Sequence, residues 1–216
     1  MILMILAFIG LAISFAFTEL YSSKEQWGVM EKFYKKTSAK GKLFFGFMWG
    51  AICFVVLSLI DREIVVLGTI IIFILTAALY RNKLKSLWKS ALLLGIFLMV
   101  FDWVVENIGA KLNFWYSYTS VFFVLAVPIE IMIAALLGGF GYAMFLPKKW
   151  NWKYVSLTSL IFAFGGMLGE NTLRSKGFMS YSGGWTPVHA FAAYFLVWTL
   201  LNIVWYFVLE RKKKKR

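Results

Sequence analysis

Charged side chains make up only 15% of this 216-residue chain, and ten acidic residues stand against 23 basic ones. About a quarter of a soluble domain is charged, so the shortfall argues against an ordinary water-soluble fold. The single cysteine, Cys53, excludes an intrachain disulfide or a cysteine metal cluster, and its place inside an apolar block leaves the redox compartment open. The single histidine, His189, together with scattered acids, argues against a structural zinc or a two-histidine metal site. A P-loop, a Rossmann glycine pattern, a nucleophile elbow and a Ser/His/Asp set are all missing. No metal and no cofactor is therefore expected.

What the chain has instead is apolar length: 61% of residues are hydrophobic and mean hydropathy is +0.76. The excess falls into seven blocks, at 2–18, 43–60, 64–80, 91–109, 121–146, 154–169 and 188–209. Each is about the 17–25 residues that cross a bilayer as a helix. The expected fold class is therefore all-α, a single integral membrane domain over 1–216 built as a transmembrane bundle of about seven spans. Segments 20–42, 81–90, 147–153 and 210–216 hold 19 of the 23 Lys and Arg residues, leaving Arg62, Lys111, Arg174 and Lys176 for the other side. That asymmetry places the C-terminus in the cytoplasm and the N-terminus outside, with the chain as a multi-pass protein of the cell membrane. The net charge of +13 then reflects cytoplasmic loops rather than a nucleic-acid partner. Within 20–42, Trp27, Met30 and Phe33 recur at helical spacing beside Lys32, Lys35 and Lys36, which suits an interfacial helix on anionic lipid headgroups. The first block lacks the basic flank and cleavage site of a signal peptide and is expected to be retained. The tail 210–216 is a basic cytoplasmic end.

Four carboxylates interrupt the apolar blocks: Asp102, Glu106, Glu130 and Glu170. An acid at mid-membrane costs about 2.5–3.5 kcal/mol, so such residues usually face a bundle interior and often do chemistry. Asp102 and Glu106 are one turn apart on one helix face. Glu130 lies about 14 Å into its block at 1.5 Å per residue and follows Pro128, which is expected to bend that helix. Small residues below Glu130 and before Glu170 predict close helix contacts around these acids. The blander alternatives are headgroup contact for Glu106 and Glu170, neutral packing for Asp102, and an interfacial role for His189.

A weak internal repeat accompanies the acids. Glu106-Asn107, Ser117-Tyr118 and Pro128 are echoed by Glu170-Asn171, Ser180-Tyr181 and Pro187, with one residue of difference between Glu and Tyr. The units would be parallel repeats about an axis along the membrane normal.

Phe114-Trp115-Tyr116-Ser117-Tyr118, followed by Ala126-Val127-Pro128-Ile129-Glu130-Ile131, resembles the membrane-embedded lycopene cyclase domain family over about 40 residues. That family carries a W-x-Y-type segment, then P-x-E-E in the next helix, with an acid upstream. Trp115, Tyr116, Pro128 and Glu130 match, and Asp102 or Glu106 fills the upstream place. The second glutamate is Ile131 here, a departure that bears on activity. The resemblance implies a redox-neutral cyclisation, or a hydratase-like reaction, started by protonating a polyene, with an isoprenoid or carotenoid entering from the bilayer. Glu130 is then the expected principal acid, with Glu106, Asp102 and Glu170 supporting it. Trp115, Tyr116, Tyr118, Asn107, Asn171 and His189 are the expected substrate contacts. Buried acids fit a proton-coupled transporter as well, and a non-catalytic membrane scaffold is the third reading.

Overall fold

The computed structural model describes residues 81–118, 122–146 and 150–209, together with Ile74. Helix α1 (Arg81–Lys111) runs 31 residues without a proline. It ends at Asn113, whose φ of 57° places it in the left-handed region that terminates helices. Strand β1 (Trp115–Ser117) follows, then a two-residue hairpin of β2 (Phe123–Val124) and β3 (Val127–Pro128) turning through Leu125 at φ 61°. Helix α2 (Ile129–Phe145) starts directly after Pro128. Helix α3 (Trp152–Ser175) is opened by Asn151, whose side chain accepts from the backbone N–H groups of Lys153 and Tyr154 at 3.0 and 3.3 Å. Strand β4 (Met179–Tyr181) leads to helix α4 (Pro187–Ile203), which continues as a π-helical turn over Val204–Leu209.

The helices pack as two hairpins, α1 on α2 and α3 on α4. In the first, a Cβ at Gly95 would stand 2.5 Å from the Leu136 carbonyl oxygen, and one at Gly139 would stand 2.9 Å from that of Leu94. Only glycine lets these two backbones come so close. In the second, Gly166 lies under the ring of Tyr194, and Phe162 meets Trp198 at 4.5 Å between ring centroids. Ala91, Leu94, Leu98, Tyr142, Tyr154, Leu201 and Trp205 form a core that draws on both hairpins.

The two hairpins carry the same helix ending. Leu112, Asn113 and Phe114 donate backbone N–H groups to the carbonyls of Ile108, Ala110 and Gly109. Lys176, Gly177 and Phe178 donate in the same pattern to Thr172, Arg174 and Leu173. The offset is a constant 64 residues (108 to 172, 109 to 173, 110 to 174). Asn113 at φ 57° corresponds to Gly177 at φ 75°, so both are Schellman endings. Strands β1 and β4 then pair antiparallel, with Tyr116 opposite Ser180. The bonds flanking that pair are reciprocal, Tyr118 N–H to the Phe178 carbonyl and Ser182 N–H to the Phe114 carbonyl. This is a local two-fold centred on Tyr116 and Ser180. It superposes Glu106 on Glu170, but Ser117 rather than Tyr118 on Tyr181, so the Ser-Tyr match read in the sequence is one residue out of register.

The expected all-α bundle of seven spans is corrected. Among the described residues there are four α-helices and four short strands. Only Leu84–Lys111 and Pro187–Leu209 are long and apolar enough, by length and composition, to cross a membrane, while Ile129–Met144 is a shorter apolar helix. The 121–146 block does not form one helix because Pro128 cannot donate a helical hydrogen bond and the backbone turns at Leu125. The remaining α2 is 17 residues, about 25 Å long. Pro128 therefore precedes a helix instead of bending one, and Glu130 sits in its first turn rather than nine residues deep. In α3, Ser, Thr, Asn, Glu and Arg dilute the apolar run. The blocks at 2–18, 43–60 and 64–80 (Ile74 apart), the 20–42 segment and the 210–216 tail lie outside the described residues, as does any test of which terminus faces the cytoplasm.

The glycine crossing makes a prediction with two signs. Gly95→Ala should lower the thermal midpoint of the detergent-solubilised protein, at an overpacking cost of about 1–3 kcal/mol. Gly138→Ala, where a Cβ meets nothing within 4 Å, should raise it through a helix-propensity gain of about 1 kcal/mol. Equal shifts in the two variants would contradict the close approach.

Candidate functional site

The turn that ends α1 sends the chain back over the helix it has just left. The Trp115 indole folds down onto Gly109, where any Cβ would overlap its ring. There its Nε1–H donates to Oε2 of Glu106 at 2.7 Å. The second hairpin repeats the device with different residues, for the Tyr181 hydroxyl donates to Oε2 of Glu170. Tyr194, from α4, donates a second hydrogen bond to Glu170, reaching it because Gly166 leaves room for its ring. The Arg174 guanidinium lies 4.0 Å over the Tyr181 ring and also acts on the Glu170 charge.

Asp102 completes the group. Glu170 acts electrostatically on Asp102, both Asp102 and Glu170 act on Glu106, and all three carboxyls act on Tyr194. Coulombic interaction between charges weakens with separation. Carboxyls from α1 and α3 and a phenol from α4 thus share one centre. The Glu106 and Glu170 carboxyls are each held by an aromatic donor. Oδ2 of Asp102, by contrast, is buried with no hydrogen-bond partner among the described residues. Above the acids lies an aromatic cap, in which Trp185 stacks on Phe114 at 5.4 Å and meets Trp115 at 4.6 Å and His189 at 5.4 Å. Tyr181, in β4, has its hydroxyl pushed well above the ordinary tyrosine range, first by burial and then by the hydrogen bond and charge of Glu170.

The other candidates from the sequence take different places. Glu130 lies in the first turn of α2 and is not among the charges acting on Asp102, Glu106 or Glu170. Asn107 accepts from the Ala126 N–H at 3.1 Å and donates to the Trp103 carbonyl at 2.7 Å, and Trp103 donates to the Val124 carbonyl at 3.3 Å. Those bonds tie the β2–β3 hairpin to α1. Asn171 accepts from Arg174 at 3.2 Å. Tyr116 and Tyr118 are exposed and bond Asn113 and Ser180. His189 closes the capping box of α4 with Thr186. Sequence reasoning missed Tyr181 and Tyr194 as partners of Glu170. The phenol of Tyr194 inside a largely apolar block was the signal available.

Among the described residues no group of His, Cys, Asp and Glu is arranged to hold a metal ion. The chain matches no family model, no curated protein and no solved structure.

The crowding has a measurable consequence. Carboxyls are neutral in acid and ionise as pH rises, so mutual repulsion of Asp102, Glu106 and Glu170 develops on the alkaline side. Asp102→Asn removes one of the three charges. It should raise the thermal midpoint over wild type more at alkaline than at acid pH, and a gain independent of pH would contradict the clustering.

Proposed function

We propose that this centre transfers protons to and from a lipid-soluble isoprenoid or carotenoid within the cell membrane, in the manner of the lycopene cyclase domains that the 114–131 stretch resembles. The reading is carried by one observation: three carboxyls and two phenols gather beside an aromatic cap, with the Arg174 guanidinium acting on Glu170 and Tyr181. Full ionisation would place three like charges together, so a proton held among them is available for transfer. Aromatic faces favour a carbocation once it forms, and exclusion of water protects it.

The hydrogen bonds divide the labour. Glu106 is clamped by Trp115, and Glu170 by Tyr181 and Tyr194. Asp102 has a buried oxygen with no hydrogen-bond partner among the described residues and is the proton donor in this reading. Its O–H bond breaks as a C–H bond forms at the end of a polyene. Ring closure moves the positive charge, and loss of a proton from carbon to a carboxylate restores the site without any net oxidation. This shifts the principal role from Glu130 to Asp102. The surroundings suit an apolar substrate. Leu92, Ile96, Val100, Val104 and Ile108 recur every fourth residue along α1 and are exposed, an outward ridge suited to hydrocarbon.

The test is chromatography of pigments and prenyl lipids from membranes that make a linear carotenoid and contain the protein. Wild type should convert the precursor, Asp102→Asn should lose at least about 10²-fold, and Glu130→Gln should retain conversion. If wild-type protein, verified in the membrane, changes no isoprenoid, the reading is wrong. If Asp102→Asn converts as well as wild type, the proton donor is another residue.

A further inference from the structure

A second polar centre lies at the other end of the helices, where α2, α3 and α4 meet. Asn202 of α4, fully buried, donates one amide hydrogen to the Tyr142 hydroxyl at 2.9 Å and the other to the Trp198 carbonyl at 2.8 Å. Thr158 of α3 spends its hydrogen on the Tyr154 carbonyl at 2.7 Å. The same hydroxyl also lies within hydrogen-bonding reach of the Tyr142 phenol. The rings of Tyr142, Phe162 and Trp198 close around this network, at 4.5–5.3 Å between centroids. Tyr142 belongs to the first hairpin and Asn202 to the second, so the network joins the two hairpins away from the strands.

This junction is richer in polar atoms than the described residues satisfy. Of five buried side-chain polar atoms without a hydrogen-bond partner among the described residues, two belong to residues of this junction, Trp198 Nε1 and Asn202 Oδ1, and two to their sequence neighbours, Ser159 Oγ beside Thr158 and Thr199 Oγ1 beside Trp198. Buried polar groups are almost always paired, because leaving one unpaired costs about 1–3 kcal/mol. Immediately after Asn202 and Ile203 the helix widens into the π-helical turn Val204–Leu209, a feature that marks sites where backbone geometry serves something other than packing.

We propose that this junction is an internal hydration site, in which bound water completes the hydrogen bonding of Ser159, Trp198, Thr199 and Asn202. The donor and acceptor types select the guest. Trp198 Nε1 can only donate, so a cation cannot satisfy it, and Asn202 Oδ1 can only accept, so an anion cannot satisfy that. The two hydroxyls do either. The guest must both donate and accept and must be small, and water meets both demands, typically making about three hydrogen bonds when buried. Among the described residues no charged side chain takes part in the network. The water thus secures the contact between hairpins at the end remote from the acids.

The test uses the full chain in lipid nanodiscs. The Trp198 indole N–H, assigned by its loss in Trp198→Phe, should give a magnetisation-transfer cross-peak with water. Isosteric Thr199→Val and Ser159→Ala should each lower the thermal midpoint by about 2–4 °C, the scale of one lost hydrogen bond in a chain of this size. In a dry junction the signs reverse, since removing an orphaned hydroxyl removes its desolvation penalty. Absence of the cross-peak in wild type, or a raised midpoint in both isosteric variants, overturns the proposal. The cross-peak needs no substitution to fold, and neither readout depends on catalysis.

Discussion

Two backbone hydrogen bonds, Ser182 to Phe114 and Tyr118 to Phe178, hold the ends of the two helical hairpins against each other. The rest of the described structure depends on this pairing. A two-stranded ribbon is weak by itself in water, but here each strand is anchored by the helix ending that precedes it. The left-handed residues Asn113 and Gly177 reverse the chain at equivalent points. Each strand therefore passes back over its own helix and drops an aromatic donor onto a glutamate below. The strand register thus sets the distance between Glu106 and Glu170, and with it the electrostatics of the centre.

The two halves differ around this shared frame in ways that make one site rather than two copies. Trp115 clamps Glu106 in the first hairpin, while Tyr181 clamps Glu170 in the second. Asp102 corresponds to Gly166 at the 64-residue offset. The first hairpin thus contributes an additional acid, and the second contributes space, which Tyr194 fills. The first hairpin also inserts the β2–β3 turn before its second helix, held by Asn107 and Trp103. A symmetric frame with unlike side chains brings carboxyls from both hairpins and phenols from the second to a common centre.

The opposite end is organised by different chemistry. There the link between hairpins is the neutral hydrogen bond from Asn202 to Tyr142 inside a mostly apolar core. Ionic groups gather near the ribbon, and neutral polar groups gather where α2, α3 and α4 converge. A low-dielectric interior strengthens both kinds of contact and raises the cost of leaving either incomplete.

Much of this was legible in the chain itself. Apolar runs and scarce charge pointed to helices suited to hydrocarbon, because burial acts residue by residue and leaves a local trace. Asp102 and Glu106 shared a face by helical spacing alone, and Glu106-Asn107 against Glu170-Asn171 marked the repeat. Other features depended on contacts between distant residues. A run of apolar letters does not record that Pro128 begins a helix after a hairpin, so the 121–146 block read as one span. Matching Ser-Tyr pairs suggested a register one residue from the true one, since backbone pairing, not side-chain identity, sets it. Helical spacing made the 102–106 pair visible. Meeting Glu170, Tyr181 and Tyr194 required strand pairing and glycine-permitted helix contact, and those are properties of the folded chain because they join residues too far apart for any local period to relate.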